Sequence, residues 1–291
     1  QRHAEIIIAD MQMKGARPVM TPAVVEDKDA QELREASKEL NKTDARQYRA
    51  LAARLNYLAM DRLDLQFTAK CISKHMATPR EHDWGALKRV ARYLVGATRS
   101  IQRFEWQDMP LTVTTFTDSD WAGDRKSRRS TSGGVMMLGK HVIKSWSSTQ
   151  QVIALSSGEA ELYAILKGAS QTKGLMSMLL DYSYELTGTV KTDASAAIGM
   201  AHRQGLGRTR HIDVQYLWIQ SEVADNTLKI DKVRTDDNVA DLLTKSLKPE
   251  IMKRHLDFAN IILDTSRAAT APRLQFLDNN DHWEATRPEY W

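Results

Sequence analysis

Four acidic residues stand in four separate local settings that favour fixed, partly buried positions. Asp118 follows an alternating apolar run in Thr-Asp-Ser-Asp-Trp-Ala-Gly, and Asp193 ends the apolar Val-Lys-Thr-Asp. Glu161 lies in the helical pattern Ser-Gly-Glu-Ala-Glu-Leu, and Asp241 in Val-Ala-Asp-Leu-Leu. Packing several carboxylates together is costly unless a divalent cation neutralises them. The four residues therefore predict a magnesium site, and magnesium at such sites usually handles phosphate chemistry.

The elements around these acids explain how they could meet. Asp118 and Asp193 each end a predicted strand, and functional groups gather where the carboxyl ends of neighbouring strands meet. Glu161 lies near the start of a long predicted helix, two residues after Glu159. These two glutamates are about 200° apart on a helix, so only one of them can face the sheet edge.

The order of predicted elements over residues 111–247 indicates an α/β fold. Alternation and turn residues predict strands at 111–117, 135–138, 141–147, 189–192 and 228–233. Helical periodicity predicts helices at 156–180, 194–201, 212–223 and 239–247. Three consecutive strands imply an antiparallel meander, and the later alternation adds parallel strands. We therefore expect a mixed five-stranded sheet flanked by helices.

The flanking segments have simpler patterns. Residues 43–103 are mainly helical, with helices expected at 44–60 and 81–95; Thr78 is a suitable N-cap for the second, with Pro79 at its first position. Residues 14–40 are expected to be loop or hinge, and the tail 249–291 to be loose. The expected divisions are a helical segment 1–105, an α/β domain 111–248 and the tail.

Composition is that of a globular protein with a slight preference for a polyanionic partner. The 291 residues are 42% hydrophobic and 27% charged, with a net charge of +4 and a pI near 9.0. The single cysteine, Cys71, excludes an intrachain disulfide and fits a reducing compartment. No apolar run approaches the roughly 18 residues that span a bilayer. Because the chain opens on Gln1 without a signal-peptide pattern, we expect it to be part of a longer protein.

Two groups of residues are candidates for nucleic-acid contacts. The first is a basic and hydroxyl-rich stretch, made of Arg128, Arg129, Ser130, Thr131 and Ser132. The second is the basic side of the helix at 81–95, made of Lys88, Arg89 and Arg92. For the first group a flexible turn is an equally good interpretation, and for the second a solvated helix face is the simpler one from that helix alone.

The acidic motifs occur together with other strings in an order that resembles one family. These strings are Arg129-Ser-Thr-Ser-Gly, Leu-Ser-Ser-Gly-Glu-Ala-Glu161, Thr209-Arg-His-Ile-Asp213 and Ala-Asp241-Leu-Leu-Thr-Lys. The chain resembles the ribonuclease H domain of Pol polyproteins from copia-type LTR retrotransposons. Upstream, Leu87-Lys-Arg-Val-Ala-Arg-Tyr-Leu94 resembles the thumb and connection of the same family's reverse transcriptase.

The resemblance implies a specific activity and setting. It implies a ribonuclease H-like fold and cleavage of the RNA strand of RNA–DNA hybrids with two Mg²⁺ ions, for which Mn²⁺ can substitute. It selects Glu161 over Glu159, and we expect Asp118 to bridge the ions, Glu161 and Asp193 to hold one side and Asp241 the other. It also implies phosphate contacts by Lys88, Arg89 and Arg92, and leaves His211 between a substrate contact and a structural role. The remainder of the Pol polyprotein is the expected partner, with no membrane, in a cytoplasmic virus-like particle or the nucleus.

Two departures from the family leave other interpretations open. Ala194 follows Asp193 where the family usually has asparagine, and no Tyr-x-Asp-Asp polymerase signature is present. The polymerase active site is therefore absent from this chain. The first alternative is a catalytically inactive nucleic-acid-binding remnant of a retroelement Pol. The second alternative is a nuclease of the same fold that cuts other nucleic acids.

Overall fold

A mixed five-stranded sheet forms the centre of the second half of the chain. The computed structural model describes residues 1–24, 29–205 and 217–268. Its strands are β2 (Thr112–Asp120), β3 (Thr131–Leu138), β4 (His141–Thr149), β5 (Thr187–Thr192) and β6 (Leu228–Lys232). The sheet has the order β4-β3-β2-β5-β6, in which β3 runs antiparallel to β2 and β4, and β5 runs parallel to β2 and β6. The mixed sheet predicted from the element order is confirmed.

Helices precede the sheet in the chain and flank it. The first half contains α1 (Arg2–Asp10), α2 (Ala30–Ala36), α3 (Lys42–Ala59), α4 (Gln66–Ser73) and α5 (Glu81–Gly96). The second half contains α6 (Ser157–Leu180), α7 (Ser195–His202), α8 (Trp218–Ala224) and α9 (Pro249–Phe258). None of the helices in the described ranges combines the length and the apolar composition of a membrane-spanning segment.

Strand β3 is buried on both faces, which explains why its apolar run does not alternate with polar residues. Val135 and Met137 belong to a hydrophobic cluster that also contains residues of α1, α3, α4 and α5. Met136 points to the opposite face, where it clusters with residues near the end of α6. The sheet is therefore covered by α6 on one face and by the helical segment on the other. The helical segment and the sheet therefore share one hydrophobic core. The domain boundaries expected near residues 105 and 248 stay predictions.

Helix α5 begins at Glu81, as expected, but its cap differs from the expected one. Pro79 lies before the helix, and the Asp83 carboxylate in the first turn accepts a hydrogen bond from the Arg80 backbone N–H at 2.8 Å. Arg34 holds the same carboxylate with a hydrogen bond of 2.7 Å. The capping role predicted for Thr78 is therefore wrong, since the cap is made by an acid within the first turn.

Three further expectations are wrong, in parts of the chain where the sequence pattern of helices and strands is weak. The stretch expected to be loop, 14–40, contains α2. The predicted helix at 239–247 is a 3₁₀ helix, Val239–Leu243. The tail expected to be loose contains α9 and β7 (Ile261–Asp264), and β7 pairs antiparallel with β1 (Arg99–Gln102). The first residues of the helix expected at 212–223 lie outside the described residues.

Gly168 allows α6 to lie close to β2. A Cβ atom at this position would lie 2.5 Å from Thr117 Cγ2, which is closer than side chains approach one another. One turn later, the Thr172 and Thr115 hydroxyls share a buried hydrogen bond of 2.6 Å. This close contact matters for the site, because Glu161 lies two turns before Gly168 on the same face of α6.

We expect Gly168→Ala to lower the free energy of unfolding by about 1–3 kcal/mol, because the added methyl group overpacks the contact with β2. Gly174→Ala is the matched control in the same helix, since no atom of another described residue, apart from the neighbouring backbone of α6, lies within 4 Å of its Cβ position. It should raise stability by about 0.5–1 kcal/mol, because alanine favours helix. Urea denaturation of both variants tests this. Equal effects of the same sign would show that α6 does not depend on this contact.

Candidate metal centre

Three of the four predicted acids meet at one edge of the sheet. Ligand oxygens of Asp118, Glu161 and Asp193 lie within 4.8 Å of one another. Asp118 lies near the end of β2, and Asp193 directly follows β5. These strands are parallel neighbours, so their carboxyl ends meet. Asp118 and Glu161 are buried, whereas Asp193 is partly exposed. The result is an acidic cluster that faces solvent on one side.

Glu161 is held against β2 by a backbone hydrogen bond. The Ser119 N–H donates to Glu161 Oε1 at 3.2 Å. Glu159 points elsewhere, where its carboxylate accepts hydrogen bonds from Leu155 N at 2.9 Å and Tyr163 Oη at 2.8 Å. The choice of Glu161 as the glutamate of the cluster therefore agrees with the geometry, and Glu159 acts at the start of α6.

Asp241 forms an ion pair with Lys245, a residue for which the sequence predicted no role. Lys245 Nζ lies 2.9 Å from Asp241 Oδ1 and 3.8 Å from Asp118 Oδ2. The Thr244 hydroxyl donates a short hydrogen bond to Asp118 Oδ2. Among the described residues, Asp241 is not in the set of three whose oxygens lie within 4.8 Å. The ammonium group of Lys245 therefore neutralises the side of the site that Asp241 forms.

The segment that carries Asp241 is fixed to the sheet by two features. Asn238 donates from Nδ2 to the Thr117 carbonyl at 3.0 Å and caps the 3₁₀ helix by accepting from Ala240 N. Gly133 lies directly opposite Asp118 in β3, and a Cβ there would lie 2.8 Å from Leu243 Cβ. The missing side chain of Gly133 thus allows the segment to approach Asp118.

The cluster has the electrostatics of several carboxylates crowded into a poorly solvated position. Burial, together with Asp118 and Asp193, raises the pKa of Glu161 to about 9. Burial and Asp118 raise the pKa of Asp241 to about 7, although Lys245 acts in the opposite direction. For Lys245, burial acts to lower the pKa, but Asp118 and Asp241 outweigh it and raise the value. The site therefore needs positive charge.

The residues of this site fit a divalent cation. Carboxylate oxygens are the ligands that magnesium prefers. Glu161 Oε2 is buried and has no hydrogen-bond partner among the described residues. A buried acceptor without a partner is costly, and a cation in the cluster would supply one. The identity of the metal does not follow from this geometry.

Comparisons with known proteins identify the family. No family model matches the chain. The retrovirus-related Pol polyprotein from transposon RE2 of Arabidopsis thaliana is 33% identical over 251 residues, which cover 85% of this chain and 17% of that protein. The corresponding polyprotein from transposon TNT 1-94 of Nicotiana tabacum is 30% identical over 249 residues, covering 84% and 19%. The chain belongs to the copia-type, retrovirus-related Pol polyproteins.

The chain spans less than a fifth of the length of these two Pol polyproteins. Among solved structures it is similar to the N-terminal RNase H domain of Rv2228c from Mycobacterium tuberculosis, determined as a fusion with maltose binding protein. That similarity has 14% identity and a TM-score of 0.32, and it covers 51% of this chain and 99% of that one. The mixed five-stranded sheet flanked by helices, which the family resemblance implied, is confirmed by the strand order.

The three hydroxyl residues of the basic and hydroxyl-rich stretch of this Pol chain are buried. The Ser130 hydroxyl accepts from Ala122 N at 3.0 Å, the Thr131 hydroxyl accepts from Lys70 Nζ, and the Ser132 hydroxyl accepts from Gln150 Nε2 at 2.8 Å. These side chains thus have internal partners that stabilise the start of β3. Arg128 and Arg129 are exposed beside them, and phosphate contacts by the stretch stay a prediction.

The basic side of α5 is partly used within the chain. Arg89 donates to the Thr21 hydroxyl at 3.0 Å, and Arg92 donates to the Arg17 carbonyl at 3.1 Å. Both arginines therefore hold residues 17–21 against the helix. Lys88 is exposed, and the phosphate contacts expected of these three residues stay a prediction. His211 lies outside the described residues.

We expect Lys245→Met to tighten divalent-metal binding by about three- to tenfold, because the ammonium group competes with the metal for Asp118 and Asp241. Isothermal titration of the metal-free chain with magnesium measures this. The control is Lys248→Met, which removes the same charge three residues away at the start of α9. Weaker binding by the Lys245 variant than by the control would contradict the expectation.

Proposed function

We propose that this chain is the ribonuclease H part of a copia-type Pol polyprotein and hydrolyses the RNA strand of RNA–DNA hybrids with magnesium. The observation that carries the proposal is the convergence of Asp118, Glu161 and Asp193, with ligand oxygens within 4.8 Å, from two strands and a helix. Membership of the family supports the substrate, because copying RNA into DNA produces such hybrids.

In this proposal Asp118, Glu161 and Asp193 hold the metal, and Asp241 completes the site opposite Glu161. Bound magnesium would supply charge neutralisation at the scissile phosphate and acidify a water molecule. The chain contributes the positions of the ligands. Ser119 orients Glu161, and Thr244 orients Asp118, through the hydrogen bonds already described. Both ligands are therefore held in place before the metal binds.

Arginine residues in the connection that follows β2 support nucleic acid as the substrate. Arg128 and Arg129 are exposed in the connection that joins β2 to β3, and Asp118 lies near the end of β2. Guanidinium groups bind phosphate in a bidentate manner, so they can fix the sugar–phosphate backbone next to the metal site. We further propose that the chain works beside the rest of the Pol polyprotein, inside the cell, in a cytoplasmic virus-like particle or the nucleus.

The direct test uses labelled substrates of three kinds. The purified chain is incubated with an RNA–DNA hybrid, duplex RNA and duplex DNA of the same sequence, with magnesium and with EDTA. Cleavage of RNA only in the hybrid, and only with magnesium, is the expected result. Manganese in place of magnesium should also support cleavage, since both ions accept oxygen ligands.

The other outcomes separate the alternatives. Binding of the hybrid without cleavage would show a catalytically inactive remnant, as Ala194 beside Asp193 leaves possible. Cleavage of duplex DNA would show a nuclease with another substrate. Cleavage in EDTA would contradict the role of the acidic cluster as a metal site.

A further inference from the structure

The connection between β2 and β3, which we call the basic loop (residues 121–130), concentrates positive charge at the end of β2 that carries Asp118. It contains four cationic residues within five positions, all exposed: Arg125, Lys126, Arg128 and Arg129. Asp124 is the one carboxylate in the basic loop. Because like charges repel one another, this anion offsets part of the repulsion within the basic loop.

Asp124 organises the turn of the basic loop from within. Its Oδ1 accepts hydrogen bonds from Lys126 N at 3.0 Å and Ser127 N at 3.3 Å, and its Oδ2 accepts from Ser127 Oγ at 2.7 Å. The backbone closes around it, since Arg128 N donates to the Asp124 carbonyl at 2.7 Å. Arg128 has a φ of 57°, an unfavourable conformation for arginine that the surrounding bonds must maintain.

Helix α4 of the upstream segment holds the basic loop from outside. Lys74, at the end of α4, forms an ion pair of 2.8 Å with Asp124 Oδ1. One turn earlier, Lys70 donates to Thr131 Oγ1, where β3 begins. A further turn earlier, Gln66 donates to Ser145 Oγ on β4 at 2.8 Å. One face of α4, at intervals of four residues, is therefore attached to the loop and to the strands beside it.

The Lys74–Asp124 ion pair contributes little to the stability of the fold. Lys74 is 40% exposed, and exposed ion pairs contribute little to the free energy of folding. Burial acts to raise the pKa of Asp124, but hydrogen bonds from Lys74 and Ser127 outweigh it and hold the pKa below its usual range. The pair therefore acts mainly on the position of the loop that carries the cations.

We propose that α4 positions the basic loop for the phosphate backbone of an RNA–DNA hybrid, and that Lys74 acts through Asp124 as a positioning residue. The inference deepens the proposed function and rests on it. A loop that is already held in its binding conformation loses less entropy when it binds, so affinity rises without any new contact. The segment that resembles the reverse transcriptase would thus contribute to hybrid binding by the ribonuclease H-like sheet.

The deciding variant is Asp124→Asn, tested in the full chain with Asp118→Asn present to prevent cleavage. Asparagine retains an oxygen that can accept the Lys126 and Ser127 N–H groups, but it loses the ion pair with Lys74. If the loop supplied only charge, removing an anion beside four cations would tighten hybrid binding. If Lys74 positions the loop, binding weakens, and we expect about a five- to tenfold loss of affinity.

Matched variants separate positioning from charge. Lys74→Ala should weaken hybrid binding as much as Asp124→Asn, and the double variant should be no weaker than either single one, because both remove the same pair. Lys74→Arg should bind as tightly as the parent. Asp257→Asn, an exposed acid on α9, is the control for loss of one negative charge and should leave binding unchanged or slightly tighter. Fluorescence anisotropy at one fixed salt concentration measures all of these.

Trypsin cutting within the basic loop tests the attachment without nucleic acid. Faster cutting after Arg125–Arg129 in Asp124→Asn, with an unchanged melting temperature, supports attachment by α4. Unchanged cutting, or unchanged or tighter hybrid binding by Asp124→Asn, overturns the inference. If the parent chain does not bind hybrid at all, the proposed function fails, and the part of the inference that concerns hybrid binding fails with it.

Discussion

Replacing Asp118 with asparagine should abolish hybrid cleavage, with a loss on the order of a thousandfold or more. Asp118 is the acid with the most contacts in the site: it belongs to the set within 4.8 Å, accepts a hydrogen bond from Thr244 and lies 3.8 Å from Lys245 Nζ. Asparagine keeps the shape and one acceptor oxygen but loses the charge that attracts the metal. The cleavage rate at saturating hybrid and magnesium measures the loss.

Asp120→Asn is the matched control for this experiment. Asp120 lies two residues further along β2, on the same side of the strand, and burial raises its pKa. Among the described residues, Asp120 is not part of the carboxylate set. We therefore expect the hybrid cleavage rate of the Asp120→Asn variant to stay within about threefold of the parent chain. An equal loss in both variants would mean that the end of β2 has been disturbed as a whole, and that Asp118 has no special role.

The carboxylates of the strands could be predicted because their positions follow from local patterns. Alternating residues predict β2 and β5, and the acids come where these patterns end. Parallel neighbours then bring Asp118 and Asp193 to one edge of the sheet. Helical geometry alone does not decide whether Glu159 or Glu161 faces the acidic cluster. The family resemblance selected Glu161.

The partners of Asp118 were not predictable from local pattern. Thr244 and Lys245 reach it because Gly133, opposite Asp118 in β3, allows the segment around Asp241 to approach. That contact joins residues more than a hundred positions apart, and periodicity carries no information on such pairs. One signal was present, since Asp241 and Lys245 are four residues apart, a spacing at which charges on a helix pair.

The errors in the tail have a similar origin. β7 is a short strand whose partner β1 lies in the first half of the chain, so no local alternation indicates it. Helix α9 had a usable signal, because Pro249 occupies its first turn, where proline is favoured. Its buried residues Met252, His255 and Leu256 also follow helical spacing. The expectation of a loose tail from residue 249 onward did not use these two signals.

Metal binding should become stronger as pH rises, because the metal-free site holds a proton that the metal must displace. Burial and the neighbouring acids raise the pKa of Glu161 from 4.5 to about 9 in the fold. The stabilising effect of that proton is present in full below pH of about 4.5 and is lost as pH rises towards 9. Between pH 7 and 9 Glu161 is mostly protonated, so the apparent magnesium affinity should rise about tenfold per pH unit over this range.

Isothermal titration in two buffers of different ionisation enthalpy counts the protons released. Between pH 7 and 9 we expect about one proton for each ion bound, and below pH 7 a second one from Asp241, whose pKa is about 7. Glu161→Gln is the control, since glutamine has no proton to release, and its affinity should be weak and nearly independent of pH between 7 and 9. Affinity of the parent chain that stayed constant over this range would mean that Glu161 is already ionised or does not bind the metal.

Because only the metal-bound fold avoids the repulsion among these acids, added magnesium should also raise the melting temperature more at pH 9 than at pH 6.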